Sequence, residues 1–301
     1  MYRYWGFGLN IASDIEFPEL LKNSFETADV IFSLGKVPTN IEGEAVSSQQ
    51  FSYQINNREL LFSAHEVARY YAVNGEKVVI EPNEPVKDER AVRLYVLATV
   101  MASILLQRNR LPLHASAIKK NESLVLITGD SRAGKSTSLA GLLKRGYEIF
   151  SDDVVVLQDD KKQVLANASY PMVKLWDDTL TKMDDPRFED RSFRIQKDID
   201  KYGLFFHDRF DQEPYPVTKV FVLKADDVTE LTSCKLSGKE AFNMVIRQIY
   251  RPMLMQNNGQ RLLGFSMITN IIRNGCIIEV RRPLDCDPES LIDFLESLLQ
   301  E

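Results

Sequence analysis

Along the first ninety residues, apolar and polar positions alternate in short runs: Tyr2–Ile11, Ala28–Leu34, Phe51–Ile55, Leu60–Ser63, Ala68–Val73 and Lys77–Glu81. A period of two predicts half-buried β-strands. Asn56-Asn57 and Asn74-Gly75 lie between consecutive runs, and because both residue types tolerate positive φ, each pair reads as a hairpin turn. A small antiparallel β module over residues 1–90 is expected, closed by the proline-bearing break Glu81-Pro-Asn-Glu-Pro85. Asp88 to Arg108 reads as one long helix, after which strands alternate with helices. Strands are expected at Leu113–Ile118, Leu124–Thr128, Tyr147–Phe150, Val154–Leu157, Val217–Leu223 and Cys276–Val280. Helices are expected at Lys135–Arg145, Lys239–Met255 and Pro288–Leu299. Residues 91–301 are therefore read as an α/β domain.

Composition narrows the class without changing that division. The chain has 301 residues, 44% hydrophobic and 27% charged, with 37 Lys+Arg against 43 Asp+Glu and a formal charge of −6. Such a balance excludes collagen-like and mostly disordered chains and argues against non-specific nucleic-acid binding, which calls for a basic surface. The three cysteines, Cys234, Cys276 and Cys286, lack the spacing of a zinc site or a disulfide framework. The most apolar stretch, Leu94–Leu106, is shorter than the roughly 18–20 residues of a membrane span, and Met1–Leu9 lacks the features of a signal peptide. A cytoplasmic protein with no membrane partner is the expectation.

One segment carries specific chemistry. Gly129-Asp130-Ser131-Arg132-Ala133-Gly134-Lys135-Ser136 matches G-x-x-x-x-G-K-[ST], with an apolar strand before it and a helix-forming run through Thr137 after it. In such a P-loop the glycines let successive backbone N–H groups turn toward a phosphate at a helix N-terminus. Lys135 then supplies charge to the β and γ phosphates, and the Ser136 hydroxyl takes one position on Mg2+. ATP and Mg2+ are the expected ligands, and the loop leaves kinase, ATPase, GTPase and switch open. Two further features bear on that choice. Ser151-Asp152-Asp153 follows Lys135 after one helix and one strand, flanked by apolar runs that make unpaired carboxylates expensive. One acid can hold the metal while the other accepts a proton. His114, in Leu111-Pro-Leu-His-Ala-Ser-Ala-Ile118, can orient a neighbouring carboxylate or shuttle its proton.

Taken together, His114-Ala-Ser-Ala, the loop Gly129–Ser136, Leu143-x-Arg-Gly-Tyr147 and Ser151-Asp-Asp-Val154 resemble the catalytic core of the bacterial HPr serine kinase/phosphorylase family. The resemblance is specific over residues 111–157 and weak elsewhere. It implies a P-loop kinase fold of the phosphoenolpyruvate carboxykinase type behind a β-rich N-terminal module, using ATP and Mg2+ to phosphorylate a serine of a peptide or small protein. It further implies Asp152 as the base, Asp153 and Ser136 at the metal, His114 in support of Asp152, and a homo-oligomer. Arg132 stands where that family has a second loop glycine, Ala115 stands where a glycine follows the histidine, and the glycine-rich downstream signature of the bifunctional enzymes is absent. Phosphorylase activity and HPr as acceptor are thereby put in doubt. Gly6-Phe-Gly-Leu9, Ile15-x-Phe-Pro18 and Tyr170-Pro171-x-Val-Lys174-Leu-Trp176 are more similar to HPr-kinase-like proteins of lasso-peptide clusters, which implies a ribosomal precursor peptide as acceptor. A small-molecule kinase and a non-catalytic nucleotide-binding regulator are the alternatives.

The remaining candidates are cations and acids. Arg247 and Arg251, four apart in one expected helix, would share a face and offer phosphate contacts, and Lys174 would contact nucleotide or acceptor. Asp177-Asp178 and Asp184-Asp185 are further acidic pairs in polar surroundings.

Overall fold

The computed structural model describes residues 1–300 apart from Val86, Lys87, Lys161, Lys162, Asp184, Lys197, Asp198 and the side chain of Asn258. Of the acidic pair at 184–185, Asp184 thus lies outside the described residues. The chain is a mixed α/β protein with several sheets that divides into two compact units. One comprises Met1–Pro112 with Tyr250–Leu263, the other Leu113–Ile249 with Gly264–Glu301.

In the first unit nine strands form one sheet. The expected run Tyr2–Ile11 is two strands, Tyr2–Gly6 and Leu9–Ser13, because Phe7 and Gly8 both take positive φ (59° and 71°) and turn the chain into a hairpin. The sheet is also mixed, where an antiparallel module was expected. Val30–Leu34 pairs in parallel with both Leu9–Ser13 and Lys77–Pro82, and alternation alone carries no information about strand direction. Elsewhere the local signals read true. Asn74 and Gly75 sit at φ 56° and 69° between Ala68–Val73 and Lys77–Pro82, and the Asn56 side-chain oxygen accepts from the Arg58 and Glu59 amides at its hairpin turn.

The helix from Asp88 belongs to this first unit, so the division falls at Pro112/Leu113 where residue 90 was expected. Asp88 caps it, accepting from the Arg90 and Ala91 amides, and one turn, Val96–Val100, is π-helical between Glu89–Tyr95 and Met101–Gln107. It stays with the sheet because Tyr95 packs against Phe62 and Tyr70, and the buried Tyr70 hydroxyl donates to the Val92 carbonyl at 3.1 Å. The Arg93 Nε donates to both carboxylate oxygens of Glu19 at 2.9 and 3.1 Å, with both residues buried.

The second unit is built on a sheet whose strands run in the order Val155–Asp159, Val164–Ala168, Tyr215–Ala225, Ser123–Gly129, Ala115–Lys120, Glu148–Ser151. Tyr215–Ala225, beside Ser123–Gly129, is long enough to serve two further partners, Val164–Ala168 at its start and Cys276–Arg282 further on, and Thr232–Leu236 pairs beyond the latter. Helices Lys135–Lys144 and Pro288–Gln300 cover the core formed by Ile127, Leu139, Leu142, Phe221, Ile292 and Leu295. They approach closely at Gly141, where a Cβ would stand 1.9 Å from Ile292 Cδ1. Arg145, at the C-cap of the first helix, forms ion pairs with Glu289, Asp293 and Glu296 of the second. A separate three-stranded sheet orders Met172–Trp176, Ile199–Phe205 and Arg194–Gln196.

Two helical readings are corrected. The helix expected over Lys239–Met255 ends at Ile246, and Arg251 adopts φ 55°, ψ 54° just before Pro252. A residue before proline is pushed out of the α conformation, so Arg247 and Arg251 share no helix face. Asn258–Asn274 is a 17-residue helix that the pattern missed, since Gly259, Gly264 and the β-branched Ile268, Thr269, Ile271 and Ile272 mask it.

Breaking the buried Glu19–Arg93 pair leaves one charge stranded. Glu19→Ala is expected to cost about 3–5 kcal/mol in denaturant unfolding, most of it recovered in the Glu19→Met, Arg93→Met double variant.

Candidate functional site

The loop Gly129–Ser136 joins strand Ser123–Gly129 to helix Lys135–Lys144. Its backbone takes positive φ at Gly129 (140°), Arg132 (66°) and Gly134 (110°). At Gly129 a Cβ would stand 2.2 Å from the Leu223 carbonyl oxygen, so only glycine fits there. Arg132 holds the left-handed conformation without being glycine, and its exposed side chain needs no space inside the loop. Gly134 is the helix N-cap and offers no side-chain acceptor, which leaves the first N–H groups of the helix to a ligand.

Lys135 closes the loop on itself. Its ammonium, in a residue 8% exposed, donates to the carbonyls of Gly129 (2.8 Å) and Asp130 (3.0 Å). Burial holds its pKa below the ordinary lysine value, against the opposing pull of the Asp152 and Asp153 charges. Two residues from distant segments fix the same loop. Gln248 is buried, and its side-chain oxygen accepts from the Gly129 amide at 3.2 Å and lies 3.0 Å from the Thr128 hydroxyl, while its backbone carbonyl accepts from the His114 amide at 2.7 Å. Arg282 donates to the Ala133 and Arg132 carbonyls at 2.9 and 3.0 Å. Neither was singled out from the sequence. Their partners lie more than a hundred residues away along the chain, and no local pattern marks them.

The acidic turn lies beside the loop. Asp152 is 1% exposed, and one of its oxygens accepts from the hydroxyls of Ser116 (2.6 Å) and Ser136 (3.1 Å), the other from the Lys174 amide (2.9 Å). Asp153 takes φ 68°, which turns its side chain to a different set of partners. The Lys174 ammonium donates to its carboxylate at 2.7 Å, and His114 Nδ1 donates to its carbonyl at 2.8 Å while lying 3.6 Å from its Oδ1. The turn is braced underneath by buried Ser151 and Ser169, whose hydroxyls lie 3.0 Å apart; the Ser151 hydroxyl donates to the Val154 carbonyl at 2.8 Å.

The expected partners of the two acids are therefore exchanged. Ser136 hydrogen-bonds to Asp152, where Asp153 was implied beside it, and the His114 ring hydrogen-bonds to the Asp153 carbonyl, with both carboxylate charges acting on it. The physical reason is the left-handed residue between them, which no sequence pattern announces. Strand Leu113–Ile118 is likewise broken at His114, where the bonds of its amide to Gln248 and of its ring to Asp153 replace strand pairing. Of the other candidates, Thr137 lies in the helix with its hydroxyl 3.4 Å from that of Thr179, Asp130 and Ser131 are exposed on the loop, and Ala133 is buried under it. Arg247 lines a groove of about 530 Å³ with Thr232, Glu240, Met244, Glu279 and Arg281, none of them residues of the loop or the acidic turn. Asp177 pairs with Arg191, and the Asp178 carboxylate accepts from the Thr179 amide.

The electrostatics follow from this packing. Burial pushes the Asp153 carboxyl up, but the charges of Lys174, His114 and Lys201 override it and hold the group well below the usual carboxylate range. Burial holds His114 below the ordinary histidine value; the Asp153 charge opposes that shift and the Lys135 charge adds to it. At neutral pH the imidazole is neutral, with its proton on Nδ1 facing a carbonyl. The cluster thus offers a lysine and helix N–H groups for an anion, a hydroxyl–carboxylate pair for a hard cation, and an ionised carboxylate beside a neutral histidine for a proton.

No protein-family model matches the chain, and no curated protein matches it. Among solved structures it is similar to the Hpr(Ser) kinase/phosphatase from Coxiella burnetii, at 15% identity and a TM-score of 0.34 over 63% of this chain and 96% of that one. At that score the likeness is too loose to assign an activity. No helix among the described residues is long and apolar enough to cross a membrane.

The His114 imidazole is expected to titrate below about 6.5 by NMR. Asp153→Asn removes a charge that raises the value and moves it further down, whereas Lys135→Met removes one that lowers it and moves it up. The folded chain then holds fewer protons on His114 than the unfolded one, so this contribution to stability is fully present above the ordinary histidine value and is lost as pH falls from there through the lower folded-state value.

Proposed function

We propose that the second unit is the catalytic part of an ATP- and Mg2+-dependent serine kinase whose acceptor is a peptide or small protein. The observation that carries this reading is the 3.1 Å bond from the Ser136 hydroxyl to Asp152, which joins the end of the glycine loop to a buried acid. A P-loop with no further chemistry has no evident use for that acid, nor for a second carboxylate and a histidine beside it.

The residues present fit the two ligands. The glycine at 129 and the uncapped helix start at Lys135 leave the loop's backbone donors open to phosphate oxygens. Among the described residues no group of three His, Cys, Asp or Glu forms a metal cage. Mg2+ needs none, because it takes most of its ligands from water and phosphate and only one or two from protein. Ser136 and Asp152 would hold it. When bound, Mg·ATP supplies a γ-phosphorus to which the acceptor oxygen bonds as the bond to the β,γ-bridging oxygen breaks.

The chain's own residues do the rest. Lys135 would exchange its two carbonyl partners for phosphate oxygens. Asp153, whose side chain is 21% exposed, orients the acceptor hydroxyl and takes its proton. His114 holds the Asp153 carbonyl, and Lys174 keeps its carboxylate ionised. The base role implied for Asp152 by resemblance thus passes to Asp153, and Asp152 goes to the metal. A ribosomal precursor peptide is the first acceptor to test.

Incubation of the chain with Mg·ATP and candidate peptides, read by mass spectrometry, is expected to add one phosphate to a serine. Asp153→Asn is expected to lower turnover by about 10²–10⁴-fold with ATP affinity within a few fold. Asp152→Asn is expected to abolish the Mg2+ dependence of ATP binding, and Lys135→Ala to weaken that binding. Full turnover in Asp153→Asn would refute its role.

A further inference from the structure

The three-stranded sheet beside the acidic turn carries a second lysine that the reading above leaves without a task. Its register sets Lys174 opposite Gly203 and Trp176 opposite Lys201, so Lys174, Trp176 and Lys201 occupy one face. Lys174 is committed, its ammonium 2.7 Å from the Asp153 carboxylate. Lys201 is not. Its ammonium lies 5.6 Å from the centre of the Trp176 ring, and among the described residues no carboxylate forms an ion pair with it. A ring face holds an ammonium loosely, and Trp176 is itself 40% exposed. Yet Lys201 is close enough to act on both halves of the site, since its charge contributes to lowering Asp153 and Lys135 alike. Lys135, Lys174 and Lys201 thus act on one cluster in which Asp152 and Asp153 are already engaged by hydrogen bonds, Asp130 stands exposed on the loop and His114 is neutral, and the Lys201 and Lys135 ammonium groups repel each other. Such a repulsive arrangement favours a polyanion.

We propose that Lys201 is a catalytic residue that contacts the phosphoryl group being transferred, from the three-stranded sheet. This rests on the kinase reading. Lys201 makes and breaks no covalent bond and keeps its protons. The acceptor oxygen bonds to phosphorus, the bridging electron pair leaves with ADP, and the hydroxyl proton goes to Asp153. Lys201 stabilises negative charge on the transferred oxygens as it shifts. Because its partner is the γ-phosphoryl group, the contact exists with ATP and not with ADP.

The test compares Mg·ATP and Mg·ADP binding by calorimetry for the full-length wild type, Lys201→Met and Lys201→Arg, with thermal unfolding as a control on folding. Losing a charge-assisted contact costs about one to two powers of ten. Lys201→Met is expected to weaken ATP by roughly that factor and ADP by less than about twofold, with Lys201→Arg restoring most of the ATP affinity. Equal weakening of both nucleotides, or no change in either, overturns the proposal. A wild type that binds neither nucleotide overturns the kinase reading itself, whereas a wild type that phosphorylates its acceptor beside an unaltered Lys201→Met removes only the role of Lys201.

Discussion

Two carboxylates on adjacent residues, one of them almost wholly buried, are the constraint around which the second unit is arranged. Desolvation raises the cost of an ionised carboxylate by several kcal/mol unless donors replace the lost water, and a second negative charge next door adds to it. The chain meets this by giving each acid its own set of donors. Asp152 is served by Ser116, Ser136 and the Lys174 amide, while Asp153 is served by the Lys174 ammonium with His114 beside it. The left-handed conformation at Asp153 keeps the two sets apart, and the buried serines 151 and 169 hold the turn that permits it. A loop, two strands and a separate sheet are brought to one place by this requirement.

The glycine loop is built on a similar principle. It is held from outside by Gln248 and Arg282 and from inside by Lys135. Exchanging the Lys135 bonds to two carbonyls for bonds to an incoming anion requires one side chain to move, while Gln248 and Arg282 keep the backbone in place.

How much of this was legible in the sequence depends on the distance over which each feature is decided. The loop, its helix, the hairpin turns at Asn56 and Asn74 and the acidic turn are set by residues within a few positions of one another, and the pattern marks them. Direction of pairing is not local, so the parallel strand Val30–Leu34 was read in an antiparallel module. Four-residue spacing suggests a shared helix face for Arg247 and Arg251, but Pro252 takes Arg251 out of the helical conformation. Which hydroxyl and which ring each acid meets is set by a single positive φ at Asp153, which redirects a side chain and leaves no trace in the pattern. Gln248, Arg282 and Lys201 were missed for a simpler reason: each meets the site through tertiary packing alone, and as residue types they are ordinary surface polar groups.

The overall charge of −6 and the local field of the site point in opposite directions, and the difference is instructive. Total charge acts at long range, where salt screens it over a Debye length of about 8–10 Å, whereas an anion at the loop would respond to groups a few ångströms away in a poorly solvated corner. There Lys135, Lys174 and Lys201 act beside two buried acids whose charge is already engaged by hydrogen bonds, and the exposed Asp130 is the remaining carboxylate acting on Lys135. Burial of Lys135 lowers its hold on its own proton and so sharpens this arrangement: the ammonium is least stable alone and gains most when an anion replaces the carbonyls it now touches. Of the three ammonium groups, Lys201 alone has no carboxylate ion pair or carbonyl bond among the described residues, and its nearest recorded partner is the Trp176 ring.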